Sequence, residues 1–262
     1  MNRPVALVTG ASAGIGAELA RQFAAGGHDL ILTARRLLEL EKLACELKTA
    51  HGIEVHVITA DLTDLQSPQR LFDHVASSGL QVDVLVNNAG FGVYGPFVEA
   101  DTERLLAMLR VNVAALTHLM RLFVPGMVVR GRGRILNVAS TAAFQPGPLM
   151  AEYYATKAYV LSLSEAVAYE LRRTGVTVTC LCPGPTSTEF GRAAAMGESK
   201  LFDGPKVMNA KAVAEVGYRG TMRGKRVVIA GFANWLGTVV VRFVPRGMLM
   251  RVIERIQAKK QK

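Results

Sequence analysis

The chain has 262 residues, half of them apolar, which is enough to bury the core of one large α/β domain. Three cysteines are too few for a disulfide framework and suit a reducing compartment, and the five histidines (His28, His51, His56, His74, His118) have no metal-ligand spacing, so no metal is expected. The net charge of +10 is confined to residues 219–262, where eleven Lys and Arg face the single acid Glu254, while residues 1–218 are neutral; a nucleic-acid partner is therefore not expected.

Pro4-Val5-Ala6-Leu7-Val8 opens a strand with no cleavable secretory pattern before it, so a cytoplasmic location is expected. Short β-branched runs then alternate with segments of helical spacing. Val5–Val8, Leu30–Thr33, Val55–Thr59, Val84–Val86, Ile135–Val138 and Val176–Leu181 read as strands, and Val227–Ala230 as a seventh. They are apolar throughout, as parallel strands covered on both faces must be. Between them Ile15–Ala25, Leu37–Ala50, Ser67–Ser77, Thr102–Val129 and Ala151–Arg173 read as helices. This alternation predicts a doubly wound parallel β-sheet of about seven strands, with helices on both faces and right-handed crossovers. No linker or repeat divides residues 1–262, so a single domain is expected, with a basic amphipathic segment at about 234–262.

Such sheets bind ligands beyond the carboxyl ends of their strands. The polar and glycine-rich residues gather at that rim. Gly10, Ser12, Gly14, Ile15 and Gly16 join strand one to a helix, in a Gly-x3-Gly-x-Gly spacing that lets a pyrophosphate approach the helix N-terminus. Strand two ends in Thr33-Ala34-Arg35-Arg36. No acid is present to bind a ribose 2′-hydroxyl, and Arg35 offers a fork for a 2′-phosphate, so NADP(H) is favoured over NAD(H). The alternative is that both arginines sit on a solvated turn. Asp61-Leu62 follows strand three, where the carboxylate can accept from an adenine amino group; Asn88, Ala89 and Gly90 follow strand four, where small residues leave room for the adenine ring or its ribose.

Tyr153 and Lys157 are four apart on a helix and share one face, with Ser140 thirteen residues upstream. An ammonium beside a phenol favours the phenolate and eases proton transfer, and a hydroxyl can hold a carbonyl oxygen in line with that phenol. Together they make a site for protonating a nascent alkoxide. Tyr154, three from Lys157, is assigned to packing.

With Thr9–Gly16, Asp61, Asn87–Gly90, Asn112, Ser140, Tyr153, Lys157 and Pro183-Gly184-x3-Thr188 in order, the sequence resembles the short-chain dehydrogenase/reductase family over roughly residues 4–235. The resemblance implies a Rossmann-like fold and an oxidoreductase in which Tyr153 is the acid in reduction. It also implies that Lys157 lowers the Tyr153 pKa and holds the nicotinamide ribose, that Ser140 positions the substrate oxygen, and that Asn112 anchors a water linking Lys157 to solvent. Thr186 and Thr188, after Pro183 and Gly184, would hold the nicotinamide amide and pyrophosphate. The family commonly forms homodimers and homotetramers through the long helices.

The family's mobile lid would run from about Thr188 to Asn209, with Phe190, Met196, Leu201, Phe202 and Met208; Phe144, Pro148, Leu149 and Met150 would line the other side. These residues point to reduction of a lipophilic ketone, with a 3-oxoacyl thioester reductase and a hydroxysteroid-type dehydrogenase as alternatives, and a non-catalytic dinucleotide-binding regulator as the reading outside enzymes. Past Pro245, Met248, Leu249, Val252, Ile253 and Ile256 form a stripe, with Arg251, Arg255, Lys259 and Lys260 off it. That pattern fits a helix packed on the body or another subunit, or a basic amphipathic helix in peripheral contact with an anionic membrane.

Overall fold

The computed structural model describes residues 3–193 and 207–257. Among these, seven parallel strands form one sheet in the order β3-β2-β1-β4-β5-β6-β9. They are β1 (Val5–Thr9), β2 (Asp29–Ala34), β3 (Val55–Thr59), β4 (Val82–Asn87), β5 (Gly133–Val138), β6 (Val176–Cys182) and β9 (Val227–Ile229). Between the last two lies a two-residue parallel pair, β7 (Thr186–Ser187) and β8 (Met208–Asn209). The helices are α1 (Gly14–Ala25), α2 (Leu37–His51), α3 (Ser67–Ser77), α4 (Thr102–Leu109), α5 (Leu116–Val129), α6 (Ala151–Glu170), α7 (Phe190–Ala193), α8 (Ala210–Met222), α9 (Phe232–Val240) and α10 (Arg246–Gln257).

Successive strand side chains point to opposite faces, so an all-apolar strand feeds two cores at once. Ala6, Val8, Leu30, Leu32, Val84, Val86, Leu136 and Val138 face one core with residues of α1, α2 and α8. Val5, Leu7, Ile31, Leu85, Ile135, Val178 and Cys180 face the other with α3, α5 and α6. The chain runs outward in one direction from β1 to β3 and in the other from β4 to β9. The loops after β1 and β4 therefore diverge, and a crevice opens between them at the carboxyl rim.

The expected helix Thr102–Val129 is continuous but not uniform. Arg110–Ala115 forms a π-helical turn between α4 and α5, with Asn112 buried inside it. These 28 residues are long and apolar enough to cross a bilayer, yet Leu116, Leu119, Met120, Phe123 and Met127 are buried in the second core. The C-terminal stripe divides between two environments. Leu249 and Ile253 are buried, whereas Met248, Val252 and Ile256 are exposed.

Candidate active site

A cleft of about 610 Å3 follows the carboxyl rim. Every residue expected to hold the cofactor lines it, as do Ser140, Tyr153 and Lys157, whereas Asn112 lies one layer behind the wall.

At the β1–α1 turn the backbone itself forms the wall. Gly10 has φ +65°, a left-handed conformation that suits glycine. A Cβ on Gly16 would lie 2.2 Å from the Gly10 carbonyl oxygen, so only glycine lets the helix pack this close to the turn. Ala13 caps α1 without any side-chain hydrogen bond, and the first turn carries no acid. The leading N–H groups of α1 thus face the cleft with the positive end of the helix dipole and no competing carboxylate. These features fit the pyrophosphate of a dinucleotide.

Thr9 fastens the two diverging loops. Its hydroxyl donates to the Val86 carbonyl (3.2 Å) and accepts from the backbone N–H groups of Asn88 (2.9 Å) and Ala89 (3.0 Å). The Asn88 side-chain amide donates to the carbonyls of Thr9 (3.0 Å) and Gly10 (3.2 Å), so it sets the shape of the turn rather than reaching into the cleft. Asp61 commits one carboxylate oxygen to the hydroxyl (2.8 Å) and N–H (3.0 Å) of Thr63. Both arginines after β2 line the cleft and are exposed. Arg36 donates to the Ser12 hydroxyl (3.2 Å) and pairs with Glu189 (3.0 Å). Arg35 has no such partner among the described residues.

The wall that carries Ser140, Tyr153 and Lys157 comes from β5 and α6, with the π-helical turn behind it. Ser140 ends the β5 loop, where its hydroxyl accepts from the Ala142 N–H (3.1 Å) and faces the phenol of Tyr153. Burial pushes the Tyr153 phenol well above its ordinary pKa, and the Ser140 hydroxyl partly offsets this. Lys157 is 5% exposed; its Nζ donates to the Val138 carbonyl (2.9 Å) and lies 5.7 Å from the centre of the Tyr153 ring. Burial lowers the Lys157 pKa to about 8, with Cys180 and Cys182 partly opposing. The lysine is therefore mostly charged at neutral pH. In this geometry desolvation, rather than the neighbouring ammonium, dominates the phenol.

Asn112 donates from its amide to the Phe91 carbonyl (3.0 Å) and the Thr156 hydroxyl (3.1 Å), and its Oδ1 accepts from the Phe91 N–H (3.1 Å). Both amide hydrogens are thus committed, leaving one Oδ1 lone pair for a water. A π-helical turn widens the helix by one residue and commonly marks a functional position. Here it brings Asn112 against the Gly90–Phe91 loop, where a Cβ on Gly90 would lie 2.9 Å from Oδ1. On the far rim the Thr186 hydroxyl donates to the Gly184 carbonyl (2.9 Å), and the Thr188 hydroxyl accepts from the Phe190 N–H (3.2 Å).

Of the apolar residues expected around the substrate, Met150 and Phe190 line the cleft, and Phe190 packs 5.1 Å from the Tyr153 ring. Phe144 instead packs against the second core, and Met208 against the first. Pro148 and Leu149 are not part of the wall. Met196, Leu201 and Phe202 lie outside the described residues, as do Lys259 and Lys260. Tyr154 both packs and lines the cleft: burial raises its phenol to about 12, and its oxygen accepts from the Gln257 amide (2.8 Å). Ile253 and Ile256 of α10 complete the wall.

Comparison with known proteins gives this geometry a family. The short chain dehydrogenase family model matches residues 4–198. The chain belongs to that family. Its members are oxidoreductases acting on CH–OH and C=O groups, and so is this protein. It is 33% identical to a short-chain dehydrogenase from Sphingobium yanoikuyae solved in complex with NADPH, with a TM-score of 0.79, covering 94% of this chain and 95% of that one. The bulky-bulky ketone specific alcohol dehydrogenase from Comamonas testosteroni is 30% identical, with a TM-score of 0.78 and 95% and 94% coverage. A very-long-chain 3-oxoacyl-CoA reductase from Pyrenophora tritici-repentis is 32% identical over 84% of this chain, and this chain spans 65% of that protein's length.

The sequence alone missed Thr9 as the fastener of two loops, Arg36 as the arginine tied to the glycine turn, and α10 as a wall of the cleft. The α10 stripe was its only advance signal.

Proposed function

We propose that the protein reduces a bulky lipophilic ketone to its alcohol with NADPH. The observation that carries this reading is the single wall on which Ser140, Tyr153 and charged Lys157 stand beside Met150, Phe190, Ile253 and Ile256. When bound, NADPH supplies the hydride for the carbonyl carbon. Tyr153 gives its phenolic proton to the carbonyl oxygen, and its raised pKa keeps that proton in place at neutral pH. Ser140 holds the same oxygen, and Lys157 adds positive charge where negative charge develops. The glycine turn and the uncapped start of α1 would hold the pyrophosphate, and Arg35 with Arg36 would hold the 2′-phosphate.

A long-chain 3-oxoacyl thioester is the second reading, favoured by the likeness to the 3-oxoacyl-CoA reductase and by the apolar wall that α10 provides. The test is cofactor oxidation by purified protein with NADPH and then NADH, across bulky ketones, 3-oxo steroids and 3-oxoacyl thioesters of increasing chain length. The proposal expects NADPH-linked turnover that rises with substrate apolarity. Turnover confined to small polar ketones, or to NADH, contradicts it.

A further inference from the structure

α9 (Phe-Ala-Asn-Trp-Leu-Gly-Thr-Val-Val) contains no charged residue, yet Thr238 is its only buried residue. An uncharged helix in water normally hides its apolar stripe. This one does not: Phe232 is 75% exposed, and its ring stacks on that of Trp235, which is 46% exposed. Phe243 in the following link is 83% exposed, and Met248 on α10 is 60% exposed. Arg242, Arg246, Arg251 and Arg255 stand between these apolar side chains. All four are exposed, and none is ion-paired among the described residues. Glu254 is the one acid from residue 219 onward, and three further lysines follow in the sequence at 259, 260 and 262.

We infer that the α9–α10 segment is a docking surface for an anionic lipid bilayer. Exposed aromatic and aliphatic side chains interleaved with unpaired arginines match an interface that is apolar inside and negatively charged at its surface. A second copy of the chain fits poorly, because a two-fold contact would set this arginine-rich face against itself. Double-stranded nucleic acid presents phosphates at its surface and has no apolar interior to take up Phe232, Phe243 and Met248. On α10, Leu249, Ile253 and Gln257 anchor the helix to the body, leaving its other face for the membrane. Ile256 is both exposed and part of the cleft wall, so the docked face borders the cleft.

Trp235 is the chain's only tryptophan, so its fluorescence reports on this face alone. The experiment mixes the full chain with phosphatidylcholine vesicles, and with mixed phosphatidylcholine–phosphatidylglycerol vesicles, and follows Trp235 emission and vesicle flotation. A blue shift and flotation are expected with the anionic vesicles only. The R242E/R246E/R251E variant should partition at least about a hundredfold less strongly, and its NADPH oxidation without lipid should be unchanged. F232S/F243S, which alters two exposed side chains, should also stay in solution. Three outcomes overturn the inference: no shift with anionic vesicles, equal binding to neutral ones, or a lipid-free blue shift that grows with protein concentration alongside a dimer mass. The last would assign the face to a contact between copies. Vesicle binding is read without turnover, so its failure and a failure of the reductase assignment are distinguishable.

Discussion

Removal of the Arg35 guanidinium should separate the two nicotinamide cofactors. Arg35 lines the cleft with no partner among the described residues, whereas Arg36 is shared between Ser12 and Glu189. A charge-assisted hydrogen bond contributes about 1.5–3 kcal/mol, or roughly 10- to 150-fold in affinity. Because Arg35 is exposed, solvent screening places the effect near the lower end, about tenfold. Arg35→Ala should therefore raise the Kd for NADPH about tenfold and leave that for NADH unchanged. Glu189→Gln should act in the opposite sense. It frees Arg36 from an exposed pair worth at most about 1 kcal/mol, so NADPH should bind up to about fivefold more tightly. Both are measured by titrating nicotinamide fluorescence at low and at physiological salt, with the difference shrinking as salt rises. Equal changes for NADPH and NADH in Arg35→Ala would show that Arg35 does not meet the 2′-phosphate, which only NADPH carries.

Gly16→Ala should weaken NADPH binding at least about tenfold and lower Tm, because its Cβ would meet the Gly10 carbonyl at 2.2 Å and relief of such overpacking costs about 1–3 kcal/mol; unchanged titration and melting curves would contradict this. The reductive kcat/KM should be flat near neutral pH and fall as pH rises through about 8, since the charged form of Lys157 predominates below its lowered pKa and is lost above it. A pH profile that stays level well above that value would remove Lys157 from the charge stabilisation. Ile253→Ala, at a buried cleft residue, should cost about 2 kcal/mol, or about 4–8 °C in Tm, and raise KM for apolar ketones more than for small ones. Equal KM changes across substrate sizes would show that α10 does not shape the pocket.

Most of the sheet was legible in the sequence, because a strand buried on both faces cannot hide its apolar run: β3 falls on its expected residues, and the other strands of the main sheet differ at their ends by at most two residues. The β7–β8 pair was not, since two residues carry no period. The π-helical turn was also invisible, because Arg110-Val111-Asn112-Val113-Ala114-Ala115 has ordinary helical composition, and its contact between Asn112 and Phe91 is between residues 21 apart in sequence. The rim residues could be placed from the strand ends, but the direction of each side chain could not. Arg36, rather than Arg35, reaches Ser12, and Asn88 turns back onto β1. Which apolar loop residues face the cleft depends on a backbone path that includes Leu149 at φ +65°, so composition pointed to Phe144, Pro148, Leu149 and Met150, while of these four the chain presents Met150. The cleft wall from α10 required tertiary docking through Tyr154 and Gln257, residues 103 apart in sequence.

If Tyr153 donates the proton while the rest of the wall binds and orients, its loss must slow the chemical step and nothing else. Single-turnover oxidation of bound NADPH, in the wild type and in Tyr153→Phe with the best ketone from the substrate panel, separates the two. NADPH affinity should be unchanged and the rate lower by about 10²- to 10⁴-fold, the usual contribution of a positioned general acid. Near-wild-type turnover in Tyr153→Phe would show that the proton comes from elsewhere.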